Sequence, residues 1–516
     1  MNTVRQYIDH HARERGERAF LVAPESALEL TFRELADRTT DVAGHLDRLG
    51  LGAGAKVAYL MNNGTWTTLL FLGVMASGRV VVPLNAVAGR THLAHVLGHS
   101  DCEAVFVEPE LRATLDELLQ DVDRDVLVIE VRDSEGPAWP LSDGREPAMV
   151  AEPTSSDAAL LLYTSGSTGL PKGAILSHRA VTSGGLNVAD GHGLSAADRA
   201  LCVLPVYHIN GAIVTVLAPL VSGGSVVMPK RFSAKAFWGL VADHGCTWAS
   251  VVPTIIKYLL DRADHEPYAF GNDERLAAFR FARSASAPLA AVVLEQWENT
   301  FKVPMIETIG LTETAATVAT NPMPPAPRKA GSVGLPFGNE IRIIDESGET
   351  CPPGTVGEVV IRGDNLLTCY YKNEEATAGA FMGEWFRTGD LALRDEDGYI
   401  YISGRLKELI IRGGENIAPR EIDDVLYRHE AVLEAAAVGI DDEAYGQEVI
   451  ACVALRDGHS CSEDELLKFC ADAVGAYKAP KRIYFLDELP KGPSGKIQRL
   501  KLPELIQSRL AAASNG

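Results

Sequence analysis

The sequence predicts an α/β protein in which a large N-terminal domain is followed by a small α+β domain. With 516 residues, the chain is too long for one hydrophobic core. From Thr31 to Ile306, helical patterns alternate with short β-rich runs, which is typical of parallel sheets with crossover helices. The pattern becomes mainly β near Asn321 and resets after Gly404. We therefore expect domains at 1–404 and 405–516.

The first domain is expected to contain two layered α/β subdomains. An amphipathic helix is predicted at the N-terminus, and a helix at 32–50 precedes strands at 56–61 and 79–84. The alternation recurs from Arg199 to Ile306. The strands predicted there are VLPV (203–206), SVVMP (225–229), WASVVP (248–253) and PMIET (304–308).

A small β subdomain should complete the first domain. The segment 321–329 is too rich in proline for a helix or a central strand. Three β-rich runs follow at 340–345, 358–363 and 399–404, and the Asp-Gly turn before the last of these predicts a hairpin. In the second domain the expected order is a loop (412–419), a helix (421–429), a strand (434–440), a helix (462–474) and a strand (482–486).

Composition excludes several classes of protein. The net charge of −21 disfavours binding to nucleic acid or to anionic lipid. Eight cysteines without a C-x-x-C pair predict neither a zinc site nor a disulfide scaffold. No signal peptide is apparent, and the apolar region 211–228 is interrupted by Pro219 and two glycines. A cytoplasmic protein without a membrane span is the expectation.

The segment from Tyr163 to His178 has the composition of a phosphate-binding loop. Glycines expose backbone N–H donors, hydroxyls add side-chain donors, and a lysine compensates the charge of a phosphate. Its spacing differs from the Walker A pattern, since Pro171 stands where that pattern requires a glycine. The residues in question are Thr164, Ser165, Gly166, Ser167, Thr168, Gly169, Lys172 and Gly173.

This loop resembles the signature of the adenylate-forming (ANL) superfamily, which includes acyl-CoA synthetases and the adenylation domains of peptide synthetases. Further motifs of the superfamily follow in order along nearly the whole chain. They are LPVYH (204–208), SASAPL (284–289), ETIGLTET (307–314), WFRTGDLA (385–392), GRLKELIIRGGENIAPREID (404–423) and PKGPSGKIQR (490–499). The resemblance implies an N-terminal domain that binds AMP and the acyl group, and a mobile C-terminal domain.

The resemblance also implies roles for residues that match the motifs. Thr312 and Glu313 would hold the nucleotide phosphates and Mg²⁺, with Thr168 as a second metal ligand. Asp390 would bind the ribose hydroxyls, with Arg405 as its partner. The adenine would lie among Ala285, Ser286, Ala287, Thr308, Ile309 and Gly310. Relatives usually carry an aromatic residue in place of Ile309, so a stacking contact is lost.

The C-terminal domain is expected to serve two half-reactions in turn. Lys496 would bridge the substrate carboxylate and the α-phosphate, because two anions need a cation between them. The hinge would be Lys407. After rotation, the CoA thiol would enter past Gly413, Gly414 and Glu415, and Lys478 belongs to a basic patch suited to CoA phosphates. A carrier protein as the acceptor stays open.

The predicted acyl pocket contains His208, Asn210, Gly211, Arg283 and Gly310. Arg283 would pair with a second carboxylate of the substrate; alternatively, it would be exposed to solvent or pair with a structural acid. Aryl acids stay open. His208 joins Lys496, Glu313, Thr312 and Lys172 as predicted catalytic residues.

Together these features predict an AMP-forming carboxylate–CoA ligase that uses ATP, Mg²⁺ and coenzyme A. The alternatives are a standalone adenylation enzyme that serves a carrier protein or activates another substrate, and a nucleotide-binding regulatory protein. A homodimer is also left open.

Overall fold

The structure is a computed structural model that describes residues 1–140, 148–164, 171–442, 445–491 and 497–514, with side chains as far as residue 508. Its helices are α1 Val4–Arg15, α2 Phe32–Arg48, α3 Thr65–Ala76, α4 Arg90–His99, α5 Arg112–Leu119, α6 His178–Gly191, α7 Ala218–Ser222, α8 Phe237–His244, α9 Pro253–Leu260, α10 Ala291–Phe301, α11 Glu374–Gly379, α12 Pro419–Leu426, α13 Glu463–Val474 and α14 Leu502–Ser514.

The strands fall into four sheets. They are β1 Ala19–Ala23, β2 Leu28–Thr31, β3 Lys56–Leu60, β4 Val80–Pro83, β5 Cys102–Val107, β6 Leu127–Arg132, β7 Gly136–Pro137, β8 Ala158–Thr164, β9 Lys172–Ser177, β10 Arg199–Leu201, β11 Ser225–Val227, β12 Trp248–Val251, β13 Phe281–Ser284, β14 Met305–Leu311, β15 Ala316–Thr320, β16 Leu335–Pro336, β17 Glu340–Ile344, β18 Gly357–Arg362, β19 Cys369–Tyr370, β20 Phe381–Met382, β21 Trp385–Arg394, β22 Ile400–Arg405, β23 Ile410–Arg412, β24 Glu415–Ile417, β25 Val432–Asp442, β26 Gly446–Leu455 and β27 Arg482–Phe485.

Two large sheets form the predicted α/β layers. Sheet A has the strand order β16-β15-β14-β13-β12-β10-β11-β1-β2 and is parallel from β14 through β1. Sheet B has the order β19-β9-β8-β4-β3-β5-β6-β7, with β8, β4, β3, β5 and β6 parallel. One core joins both sheets: it contains Phe20 and Phe281 from sheet A and Val57 and Leu160 from sheet B.

Helix α3 shows why the two sheets pack as layers around helices. Its sequence, TWTTLLFLGVMA, is apolar on every side, and every residue except Trp66 is buried. A helix with this pattern must be covered all round. Helix α6 also contributes Ala180, Val181 and Val188 to the core shared by the two sheets.

The two smaller sheets match the predicted β subdomain and C-terminal domain. Sheet C has the order β17-β18-β21-β20, with β22 paired to β21. Sheet D has the order β24-β23-β26-β25, with β27 paired to β26, and packs against α12 and α13. No helix in the described ranges is both long enough and apolar enough to cross a membrane.

Two local predictions were wrong. The segment VLPV is not a strand: β10 ends at Leu201, and the Asn63 side chain accepts from Val206 N and donates to Leu204 O, both at 2.9 Å. The segment RGGENIAP is not a loop throughout but contains the β23–β24 hairpin. Gly413 and Gly414 turn this hairpin at φ values of +57° and +86°, a conformation that favours glycine.

Glu307, on β14, is a buried carboxyl group near the C-terminal domain. It is 4% exposed, and its Oε2 accepts a hydrogen bond from Gly331 N at 2.8 Å. Burial raises the pKa of Glu307 to about 7, against the opposing effects of this hydrogen bond and of Arg420 on α12. Around neutral pH the folded protein therefore holds a carboxyl group that is partly protonated.

We expect Glu307→Gln to stabilise the protein at pH 8 but not at pH 5. Because the folded pKa is raised, the contribution of Glu307 to stability is fully present below its ordinary pKa of 4.5 and is lost as the pH rises through 7. Glutamine cannot ionise, so the free energy of unfolding of the variant at pH 8 should exceed that of the wild type by about 1 to 3 kcal/mol. Chemical unfolding at both pH values measures this difference. An equal gain at both would contradict the explanation.

Candidate active site

The ends of β8 and β9 place Lys172 beside Tyr370 and Glu313. Thr164 is the last residue of β8 and faces Lys172, the first residue of β9, across an antiparallel pair. Lys172 Nζ lies 5.1 Å from the ring centroid of Tyr370. The Tyr370 hydroxyl donates to Glu313 Oε1 at 2.9 Å. A cation, a phenol and a carboxylate therefore meet where sheets A and B approach each other.

The backbone that carries Glu313 is closely constrained. Thr312, Glu313 and Thr314 form a short turn after β14, and Leu367 N donates to Glu313 O at 2.7 Å. Gly310 precedes this turn, and a Cβ at Gly310 would lie 1.9 Å from Ala316 O. No larger residue fits there without moving the backbone. The turn thus fixes the direction in which Glu313 points.

Asp390 and Arg405 form an ion pair between two strands of sheet C. They face each other on β21 and β22, with Arg405 Nε 2.8 Å from Asp390 Oδ1. Asp390 is 5% exposed, and its negative charge raises the pKa of Arg405. Glu313 raises the pKa of Arg405 as well, which brings this pair into the electrostatic surroundings of Glu313. The pairing predicted for Asp390 and Arg405 is present.

The segment predicted to flank adenine follows β13 directly. Ala285 is buried, Ser286 and Ala287 are partly exposed, and Ser286 has φ +72°. For a residue other than glycine, this backbone conformation costs about 1 kcal/mol or more. Such strained residues often lie at functional sites. Asn210 Nδ2 donates to Ser286 Oγ at 3.3 Å, and Ser250 Oγ donates to Asn210 Oδ1 at 2.7 Å.

Asn210 and Gly211 of the predicted acyl pocket begin a π-helix, Asn210–Leu217. Such helices are rare and often occur at functional sites. A Cβ at Gly211 would lie 2.1 Å from Pro205 O, so glycine permits the close contact between backbones. His208 is partly exposed, and its ring lies 4.9 Å from that of Tyr207 at 61°.

Arg283 is buried inside sheet A. It is 1% exposed, and its Nη2 donates to the hydroxyls of Thr308 and Thr317, in the second case at 3.2 Å. Nε and Nη1 are also buried, and neither has a hydrogen-bond partner in the part of the chain that the structure describes. Burial lowers the pKa of Arg283 to about 9. Neither alternative for Arg283 is present among the described residues, because the side chain is buried and forms no ion pair there.

The pKa of His192 is also affected by the buried charge of Arg283. His192 is 1% exposed at the end of α6 and stacks on Phe281, with ring centroids 5.2 Å apart. Burial, together with the charge of Arg283, lowers the pKa of His192 to about 3. The histidine is therefore neutral, while Arg283 carries the positive charge.

The remaining predicted residues lie elsewhere or outside the described part. Lys407 is exposed, as are Gly413, Gly414 and Glu415, while Lys478 Nζ lies 2.8 Å from Glu421 Oε2. Thr308 and Ile309 lie on β14, the former buried and the latter partly buried. The predictions for Ser165, Gly166, Ser167, Thr168, Gly169 and Lys496 fall outside the described residues.

Sequence reasoning missed Tyr370. It lies 57 positions from Glu313 along the chain, and its hydrogen bond depends on the pairing of β19 with β9. The signal available was the adjacent pair Tyr370 and Tyr371 at the end of a short strand. Nothing in a tyrosine pair alone distinguishes a site residue from a core residue.

Comparison with known proteins identifies the family. Residues 8–371 match the model of the AMP-binding enzymes, and residues 421–496 match that of the AMP-binding enzyme C-terminal domain. The chain is 47% identical to a sulfoacetate–CoA ligase of Cupriavidus necator over 488 residues, 94% of each chain. It is 36% identical to an oxalate–CoA ligase of Arabidopsis thaliana over 486 residues, 91% of this chain and 92% of the relative.

Solved structures agree over nearly the whole length. The crystal structure of ATP-bound MatB from Rhodopseudomonas palustris has a TM-score of 0.87 at 27% identity, covering 98% of this chain and 99% of that one. The o-succinylbenzoate CoA synthetase of Bacillus subtilis, in complex with its acyl-adenylate intermediate, has a TM-score of 0.84 at 27% identity, covering 96% and 97%.

Tyr370→Phe should reduce nucleotide-dependent turnover. The substitution removes the hydroxyl that orients Glu313, and a hydrogen bond to a charged group contributes about 1.5 to 3 kcal/mol. We expect kcat/KM for ATP to fall by about 10- to 100-fold. Tyr399→Phe is the matched control, since that hydroxyl donates to Pro327 O at 2.6 Å. Equal effects of the two substitutions would remove Tyr370 from the site.

Proposed function

The chain belongs to the family of AMP-binding enzymes and is an AMP-forming carboxylate–CoA ligase, and from this premise we propose that its acid carries a second anionic group, which Arg283 binds. The carboxylate oxygen of the acid attacks the α-phosphorus of ATP, and pyrophosphate leaves. The CoA thiol then loses its proton, its sulfur attacks the acyl carbon, and AMP leaves with the electrons of the broken bond between the acyl carbon and the phosphate oxygen. The products are an acyl-CoA thioester, AMP and pyrophosphate.

The first step requires positive charge around two approaching anions. We assign Lys172, Thr164 and Thr312 to the phosphates of ATP, Asp390 and Arg405 to the ribose, and Lys496 to the reacting carboxylate. The Glu313 carboxylate suits Mg²⁺, which prefers hard oxygen ligands, and Thr168 would be the second ligand. When bound, the metal would neutralise charge on the phosphate oxygens.

The surroundings of Arg283 support the choice of acid. A buried guanidinium without a carboxylate partner is costly, and hydroxyl groups compensate it only in part. Two of its nitrogens have no partner among the described residues, so a bound anion would supply their missing hydrogen bonds. Ser250 lies beside Arg283 in the register of β12 and β13, and it bonds to Asn210 of the predicted acyl pocket. This single uncompensated charge carries the proposal.

The relatives point the same way. The two reported above are named for sulfoacetate and oxalate, acids whose second group is a sulfonate or a carboxylate. Either group can accept two parallel hydrogen bonds from a guanidinium. We therefore propose a short carboxylic acid that ends in a sulfonate or a second carboxylate as the substrate.

Contacts on either side of Lys407 support a hinge between domains 1–404 and 405–516. Before it, Arg405 pairs with Asp390 of sheet C. After it, Glu408 pairs with Arg499 of the C-terminal domain at 3.3 Å. Lys407 is exposed. It lies between a residue that pairs with the N-terminal domain and a residue that pairs with the C-terminal domain, as expected of a hinge residue. A carrier-protein acceptor, a homodimer and a cytoplasmic location stay predictions.

Arg283→Met should reverse the preference for diacids. Loss of the partner of a buried anion costs on the order of 3 to 5 kcal/mol, so kcat/KM for sulfonated or dicarboxylic acids should fall by about 100-fold or more. Monocarboxylates of similar size should be spared. Pyrophosphate release across paired acids, with and without CoA, measures both the preference and the requirement for CoA.

Arg280→Met is the matched control for this panel. Arg280 lies just before β13, its side chain is 41% exposed, and it pairs with Asp198 at 3.0 Å. We expect it to leave the acid preference unchanged. A uniform loss with Arg283→Met across all acids would assign Arg283 to the scaffold instead.

A further inference from the structure

Two histidines on one face of α4 contact Tyr163 and Pro171, two residues of the predicted phosphate-binding segment 163–178. His99 Nδ1 lies 2.7 Å from the hydroxyl of Tyr163, next to Thr164 on β8. His95 Nε2 lies 3.2 Å from the carbonyl oxygen of Pro171, next to Lys172. Residues four apart share a helix face, and the two rings stack with centroids 5.3 Å apart.

We propose that His95 and His99 are positioning residues that hold Thr164 and Lys172 in place for binding the ATP phosphates. Neither histidine is placed among the substrates. Each acts through a neighbour, His99 through Tyr163 and His95 through Pro171. Thr164 and Lys172 face each other across the β8–β9 pair, so fixing both neighbours sets the separation and direction of the two strand ends.

The chemistry of each contact determines whether the ring nitrogen must donate a hydrogen bond. A carbonyl oxygen only accepts, so His95 must donate from Nε2. Pro171 is buried, and loss of this donor would leave its carbonyl without that partner. The Tyr163 hydroxyl can donate or accept, so His99 needs only a polar atom at the Nδ1 position.

The surroundings hold this face of α4 against the sheet. Leu93, Val96 and Leu97 of α4 are buried in the core of sheet B. Tyr371 contacts His99 edge-on at 5.7 Å and donates from its backbone N to Gly173 O at 2.7 Å. Its hydroxyl donates to Asp101 Oδ2 at 2.7 Å.

Burial, together with the charges of His95 and Lys372, lowers the pKa of His99, and this favours the neutral form of its ring.

Amide substitutions separate positioning from packing. Glutamine places its amide near the Nε2 position of histidine and asparagine near the Nδ1 position, so His95→Gln and His99→Asn match the contacts, while His95→Asn and His99→Gln do not. We expect the matched variants to stay within about threefold of the wild-type KM for ATP and the mismatched variants to raise it by about tenfold. KM for CoA in thioester formation from supplied acyl-AMP should not change.

Binding of a non-hydrolysable ATP analogue provides a readout that needs no acid, so the result stands whether or not the proposed acid is correct. Tyr163→Phe removes only the hydroxyl, and it should weaken this binding by about as much as His99→Gln even if a histidine variant folds poorly. Equal effects of matched and mismatched amides would overturn the proposal. So would an unchanged analogue affinity in Tyr163→Phe, or an equal loss in the CoA half-reaction.

Discussion

In the described part of the chain, the Arg283 guanidinium is buried without a carboxylate partner, and the proposed binding of the acid depends on this charge. Removal of a guanidinium from water costs several kcal/mol, and the Thr308 and Thr317 hydroxyls offer only neutral compensation. Burial, to which the charge of Arg283 adds, lowers the pKa of His192 to about 3 and keeps that ring neutral. An anion that binds to such a buried guanidinium would offset part of the free-energy cost of its burial. If Arg283 binds the acid as proposed, acid selection depends on a side chain that sheet A holds in place.

The sheets determine where the other charged groups can lie. Parallel strands β12, β13 and β14 end at the same edge of sheet A, and ligands of α/β proteins bind at this edge. Sheet B contributes Lys172 through the β8–β9 pair, and sheet C contributes the Asp390–Arg405 pair. Each group lies at a strand end or in a paired strand whose backbone is fixed by its neighbours. Placement of this kind limits the reorganisation needed when charge develops during adenylation.

The sequence predicted the parts of the site that are local in the chain. The partnership of Asp390 with Arg405 was implied by the resemblance of short motifs to those of a known family, and the two residues do pair. Tyr370, His95 and His99 were missed, because their contacts span 57, 76 and 64 positions and depend on which strands pair. The β23–β24 hairpin was missed for a different reason: strands of three residues are too short to show an alternating pattern.

The binding of a second anionic group by Arg283 is tested most directly by a crystal structure. The protein would be crystallised with a non-hydrolysable acyl-adenylate mimic whose acyl group ends in a sulfonate or carboxylate. We expect this distal group to lie about 2.8 Å from the Arg283 guanidinium and to accept hydrogen bonds from Nε and Nη1. A distal group that points toward solvent or another cation, with Arg283 still bonded only to Thr308 and Thr317, would contradict it.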